Sequence, residues 1–412
     1  MGLSRFADWE YCSVVVDREE LPPIMEFHSD PHGVAAAYRP VSAVAYDEEG
    51  QGWMAWRHSD VMALLRDPSY KKDPAVAADG PYTQTLLAGD FSMLFMDGPD
   101  HRRLRGLVSQ AFSKRATDAL RPRIQMITDD LLDAIDPSNG PVDIVSTFAV
   151  PLPITAIAEI LGIDPADRAD FKRWSDDVAL SFDPDLSPEI AERVAASGAE
   201  LREYIARVIR ARRIRPRDDL ISALTAVQDA DGSQLSDTEA VSAIALLLFG
   251  GNATTTDLIG NGLLALLTNP DQLAALISNP ALIDNAVEEM LRYDPPVAIG
   301  DRIATTDTNL DGCPITRGQW VWPVLSSANR DPAVHHDPDH FDIQRDPIRH
   351  VSFGGGPHLC LGAPLAREET QIAISSLVAR FPQIRLADPS AAPHYKYIPG
   401  FHGLAELHVH LA

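Results

Sequence analysis

One of the three cysteines in this 412-residue chain, Cys360, lies in the stretch HVSFGGGPHLCLGAPLAR, from His350 to Arg367. Gly354, Gly355 and Gly356 permit a tight turn and close backbone approach, and the period that starts near Gly362 predicts a helix whose free N–H groups point back at the sulfur. That arrangement is expected to lower the thiol pKa, and a thiolate is either a nucleophile or a metal ligand. A nucleophile wants a base. His358 is two residues away, but a turn does not fix its ring against the sulfur, and no signature of a cysteine hydrolase is present. A buried, inert cysteine is the third reading. The run LLLFGGNATTTD at 246–257 also stands out, because Gly250, Gly251, Asn252 and three threonines interrupt an apolar helical pattern. Glycine there costs about 1 kcal/mol against alanine. Such a local violation marks either a place where something approaches the backbone or close helix packing through small residues.

The elements that must position these residues are mostly helices. The 3.6-residue period marks helices over about 58–67, 100–136, 152–161, 165–180, 188–213, 217–229, 237–268, 270–278, 280–293 and 362–381. Ser187-Pro188, Ser236-Asp237 and Asn279-Pro280 are start signals. Short strand-like pieces gather at 41–57 and at 297–325 with the 395–411 tail. The segment 237–268 would span roughly 45 Å, so it must run through the core. No repeat or linker divides the chain, and residues 1–412 read as one domain, mainly α with minor β.

The net charge of −24 argues against a nucleic-acid partner. One segment runs the other way: HRRLRGLVSQAFSKRATDALRPR at 101–123 carries Arg102, Arg103, Arg105, Lys114, Arg115, Arg121 and Arg123 against Asp118 alone. It is either a solvated helix face or a site for an anionic ligand or acidic partner. Cys12, Cys313 and Cys360 are too scattered for a disulfide framework or a zinc site. No export signal, lipid anchor or uninterrupted membrane-length apolar run is read, so a soluble cytoplasmic protein is expected.

The run Phe353-x-x-Gly356-x-His358-x-Cys360-x-Gly362, continuing into Leu365-Ala366-Arg367, resembles the haem-binding loop of cytochromes P-450. The glycine-threonine centre of the long helix, EEMLR at 288–292 and FDIQRDP at 341–347 fall in that family's order, so the likeness covers most of the chain from about Asp97. The resemblance implies the cytochrome P-450 fold, a single triangular domain with a long central helix over one haem b. It makes Cys360 the axial thiolate, which pushes electron density onto iron and favours O–O cleavage. Phe353 is expected to shield the ligand loop. His101, Arg105, Arg302 and His358 are expected to hold the haem propionates. Glu289 and Arg292, at i and i+3, would by spacing alone be an exposed salt bridge. The resemblance makes them a buried lock with Arg345.

For oxygen activation the resemblance gives Gly250 and Gly251 the task of making room for O₂. It puts Thr254 in the proton-organising position, with Thr255 beside it. The family's acid position holds Ala253, which can relay no proton; Asn252, Thr255 and Asp257 are candidates to order a water chain instead. The expected activity is insertion of one atom of O₂ into a small or medium hydrophobic molecule. Electrons would come from a separate 2Fe-2S ferredoxin or a flavodoxin with an NAD(P)H reductase, which the basic segment would dock. The alternatives are a haem-thiolate isomerase, dehydratase or peroxygenase, and a haem-binding protein without turnover. Expected substrate contacts are Tyr82, Leu87, Phe95, Phe182, Leu246, Phe249, Val297, Ile299 and Phe401.

Overall fold

The computed structural model describes residues 21–48, 50–78, 93–111, 114–180, 187–228, 232 and 234–411. The helices in chain order are α1 (Pro31–Val41), α2 (His58–Arg66), α3 (Gly98–Ala111), α4 (Lys114–Asp133), α5 (Pro151–Leu161), α6 (Arg168–Ala179) and α7 (Pro188–Ile214). They continue with α8 (Leu220–Ala226), α9 (Asp237–Thr268), α10 (Pro270–Ser278), α11 (Ile283–Tyr293), α12 (Leu325–Asn329) and α13 (Ala363–Arg380).

The long segment 237–268 is one continuous helix, α9, through both glycines. Its start is fixed by a capping box: Ser236 Oγ accepts from Glu239 N, and the Glu239 carboxylate accepts from Ser236 N. α9 packs on α5, α6, α7, α11 and α13, which is why its apolar residues run nearly all round. Among the described residues it alone is long and apolar enough to cross a bilayer, yet most of it is buried inside the protein. Ser187 caps α7 as expected, whereas Asn279 makes no side-chain cap, and a single 3₁₀ turn precedes α11.

The expected helix over 100–136 is two helices, α3 and α4. α1 was not expected, because Pro31, Gly33 and Pro40 obscure its period. Asp30 caps it by accepting from Gly33 N at 2.8 Å, and Val34 and Ala35 bury its apolar face.

The minor sheet gathers where expected. β1 (Val44–Asp47), β2 (Gly52–Ala55), β3 (Tyr70–Lys71), β5 (Arg302–Ala304) and β8 (Trp320–Pro323) form a five-stranded sheet in the order β1-β2-β8-β5-β3, with only β2 and β8 parallel. β4 (Val142–Asp143), β9 (Arg385–Leu386) and β10 (His408–His410) make a second sheet. β6 (Thr308–Leu310) and β7 (Cys313–Ile315) are a hairpin turned by Asp311 and Gly312, both at positive φ. The two-residue strands β3, β4 and β9 are too short for any alternation to announce them. Cys313 is disulfide-bonded, which the cysteine count did not anticipate.

Candidate active site

Cys360 sits in the extended loop between a 3₁₀ turn at Gly356–His358 and the start of α13. The loop closes on itself: Cys360 N donates to Phe353 O at 2.9 Å and Gly354 N to Val351 O at 2.7 Å. Gly354 and Gly356 take φ of 69° and 62°, and a Cβ on Gly356 would collide with the carbonyl of Leu65. That is a position for glycine alone. The Phe353 ring lies beside the loop with the Arg367 guanidinium 4.5 Å from its centre.

The sulfur is the free cysteine of the described residues, and it retains accessible surface although protein surrounds it closely enough for burial to push its pKa up. Accessible surface in such surroundings means that the thiol opens onto internal space. The N–H groups of Gly362 and Ala363 and the charges of Arg105 and Arg367 pull the pKa down, as the sequence suggested, but burial outweighs them. The expected lowering is therefore corrected, because desolvation of the charged form exceeds the pull of these neighbours.

Around this space the structure brings together His101, Arg105, Arg302 and His358. The rings of His101 and His358 stack at 4.3 Å, and His358 Nε2 meets Asp97 Oδ1 at 3.1 Å. Asp97 also accepts from the backbone of Lys72 and Asp73, and the His358 bond with these two outweighs its burial and holds it at about 2. Burial, then the neighbouring His358 and Arg105, pushes His101 down to about 4, and burial lowers His358 and Arg302 as well. Arg302, 5% exposed, donates to Asp301 O, and Arg105 donates to Leu359 O beside the cysteine. The cluster is rich in cations that disfavour their own charge, a setting that an added anion would relieve.

On α9 the face near Gly250 is open. Gly250 is exposed in the middle of the core helix, and a Cβ on it would meet nothing within 4 Å. Thr254 Oγ1 bonds back to Gly250 O at 2.7 Å. A Cβ on Gly251 would lie 4.0 Å from Ile157 Cδ1 of α5, so of the two glycines Gly250 has the more open surroundings. A helix rotates 100° per residue, and Asn252 and Thr255 lie far round from Gly250. Asn252 donates to Ser175 of α6 at 2.9 Å, and Thr255 is buried at 2%. Neither continues the face of Thr254, and Thr255 lies on the packed side of α9.

Beneath the loop Glu289 and Arg292 are fully buried and bidentate, at 2.7 and 2.8 Å, with Arg345 reaching Glu289 at 3.3 Å. Arg292 also donates to the carbonyls of Asn329, Pro338 and His340. The lock expected from the resemblance is present. Its neighbour was missed: Glu288 accepts from Arg367 at 2.5 and 2.9 Å and meets His350 at 3.0 Å, tying α13 to α11, and these bonds hold it at about 2 against its burial. No spacing rule links residues that far apart.

Part of the basic segment is spent within the protein. Arg103 pairs with Glu239, and Arg121 with Glu368 at 2.5 Å, while Arg102 and Arg123 are exposed. Of the expected substrate contacts, Tyr82, Leu87 and Phe182 and the side chain of Phe249 lie outside the described residues. Leu246 and Phe95 are part-buried, and Val297 pairs with Phe401 in an isolated bridge.

A soft sulfur donor on open internal space, a cation-rich rim and an open glycine on the core helix together fit a planar iron cofactor with two carboxylates. Residues 274–386 match the family model described as Cytochrome P450. Cytochrome P450 107B1 of Saccharopolyspora erythraea is 38% identical over 95% of this chain and 98% of its own. Cytochrome P450 monooxygenase PikC of Streptomyces venezuelae is 39% identical over 89% of each. A solved structure of P450BioI in complex with acyl carrier protein ligated by hexadec-9Z-enoic acid has a TM-score of 0.86 at 36% identity, over 94% of this chain and 100% of that one. With such likeness over nearly the whole length, this chain belongs to the cytochrome P450 family and is a monooxygenase with haem b as its cofactor.

Proposed function

We propose that residues 1–412 form one domain that inserts one atom of O₂ into a small or medium hydrophobic substrate in the cytoplasm. The electrons come from a separate ferredoxin or flavodoxin and its NAD(P)H reductase. The observation that carries this reading is Cys360, a free thiol with an open face amid packed protein. Haem bound there would supply the oxygen-activating iron, and Cys360 would be the thiolate that holds it.

The chain's own residues then divide the work. The N–H groups of Gly362 and Ala363 bond to the thiolate and moderate its push. Phe353 and Arg367 cover one flank of the loop. His101, Arg105, Arg302 and His358 neutralise the propionates, and Asp97 orients His358. Gly250 would leave room for O₂ and for substrate in the open space beside it. Thr254, whose proton is engaged with Gly250 O, keeps lone pairs free to accept from a water. Exposed Arg102, near the cysteine side of α3, is a docking charge for the acidic electron donor.

A second reading concerns how the substrate arrives. P450BioI was solved with a fatty acid carried on an acyl carrier protein, and a carrier-bound acyl chain would suit an apolar pocket equally well. The test is titration of the ferric protein with terpenes, aromatics, free fatty acids, macrolides and an acyl carrier protein loaded with hexadecanoate. Entry beside the iron shifts the Soret band, so the class that shifts it names the substrate, and a shift with the loaded carrier but not with the free acid supports carrier delivery.

A further inference from the structure

Gly250, Thr254, Asp257 and Asn261 recur on α9 at i, i+4, i+7 and i+11, so they lie on one face of the helix. One end of that face is open at Gly250. The other enters a buried charged cluster. Asp257 is 3% exposed, and its Oδ1 accepts from Lys396 Nζ at 2.5 Å, while the Lys396 side chain remains 31% exposed. Gly403 presses its backbone against the Asp257 carboxylate, where a Cβ would collide, so the C-terminal tail packs directly on the acid. One turn on, Asn261 Nδ2 donates to His402 O at 3.0 Å and Asp294 O at 3.4 Å.

We propose that Asp257, linked to solvent by Lys396, supplies protons to Thr254 and so does from one turn along α9 what Ala253 cannot. The inference rests on the monooxygenase reading above. That reaction takes up two protons and two electrons with O₂ and releases one water, the electrons coming from the external donor. In each delivery the Asp257 carboxyl gives its proton to water hydrogen-bonded to Thr254 Oγ1. The resulting carboxylate takes a proton from the Lys396 ammonium, and the amine is reprotonated from solvent. Only O–H and N–H bonds break and form in the relay. Asp257 acts through Thr254 and is a positioning and supply residue.

Three features support this path. Asn252 is committed to Ser175 and Thr256 to the Ala149 carbonyl, so these two polar neighbours of Thr254 are engaged elsewhere. A buried acid touching a half-exposed lysine has a route to bulk water. Burial also pushes Asp257 up to about 6, with Lys396 and His402 pulling down and Asp294 pushing up, so the acid can both hold and release a proton near neutrality.

The test compares the holoenzyme with Asp257→Asn, Asp257→Glu, Lys396→Gln and the double variant Ala253→Asp with Asp257→Asn. Product and hydrogen peroxide per NADH are measured in H₂O and D₂O with a surrogate ferredoxin. Asp257→Asn is expected to lower product per NADH about tenfold, less than a positioned acid can contribute because water substitutes in part. Its solvent isotope effect rises, and substrate still shifts the Soret band at the same concentration. Asp257→Glu and the double variant recover coupling, and Lys396→Gln falls between. Unchanged coupling in Asp257→Asn, or in Lys396→Gln if the first variant does not fold, overturns the proposal. An infrared titration gives a readout apart from turnover: a protonated-carboxyl band that titrates near neutrality and is missing from Asp257→Asn is expected. Its absence overturns the proposal even in an active enzyme, whereas a present band with no product from any donor counts against the monooxygenase reading instead.

Discussion

At the scale of single residues, the chemistry is set by burial as much as by residue type. Cys360 shows this, since the dipole end of α13 and two arginines favour its thiolate and desolvation still prevails. Glu369 shows it in purer form. It is 2% exposed on α13, and burial alone raises its pKa well above the usual carboxylate range. A carboxyl whose pKa is raised on folding favours the native state below its unfolded pKa, and that advantage is lost as pH rises toward the folded value. Glu369→Gln, which keeps the neutral shape, should therefore raise the melting temperature more at pH 8 than at pH 5; an equal change at both would mean that Glu369 is ionised in the native protein. The cysteine loop itself was legible in the sequence because a ligand loop writes its constraints locally, in glycines at fixed offsets. The sign of the thiol shift was not, because desolvation depends on residues from α3 and α13 that close over the sulfur.

At the scale of elements, α9 and α11 carry the architecture of the site. α9 announced itself through a capping box and a long apolar run, and its glycine interruption marks where the space opens. Which glycine opens it was not readable, since adjacent helical residues point 100° apart and only the placement of α5 tells them apart. Gly250→Val should leave the fold intact, since valine is the better helix former by about 0.3 kcal/mol, yet abolish the substrate-induced Soret shift. A retained shift in a folded variant would place the open space elsewhere. In α11 the Glu289 carboxylate holds the fully buried guanidinium of Arg292 and the part-buried one of Arg345. Glu289→Gln leaves them uncompensated and should cost about 3–5 kcal/mol, seen as a lower urea midpoint; a loss under 1 kcal/mol would show the pair to be dispensable. The pair was visible as an i, i+3 spacing, but its burial came from the resemblance and not from the spacing. The clusters of Glu288 with His350 and Arg367, and of Asp257 with Lys396, escaped notice because their members meet only after the chain has folded.

At the scale of the whole molecule, a chain of net charge −24 keeps a local excess of cations around α3 and α4. The structure reduces that excess, because Arg103 and Arg121 are already paired. Arg102→Glu should slow reduction by the electron donor and flatten its dependence on ionic strength, while Arg123→Glu, on the exposed side of α4, should do less. Equal donor kinetics in all three proteins would move the docking face elsewhere. The mainly helical fold class needed only helix periodicity, and relatives covering about nine-tenths or more of the chain share that fold. The most direct test of the account is the visible absorption spectrum of the purified ferric protein beside that of Cys360→Ala. The wild type should bind one haem per chain with a thiolate-type Soret band, and the variant should lose that band while keeping its helical circular dichroism. The same spectrum in both proteins would contradict Cys360 as the ligand, and with it the assignment of the site.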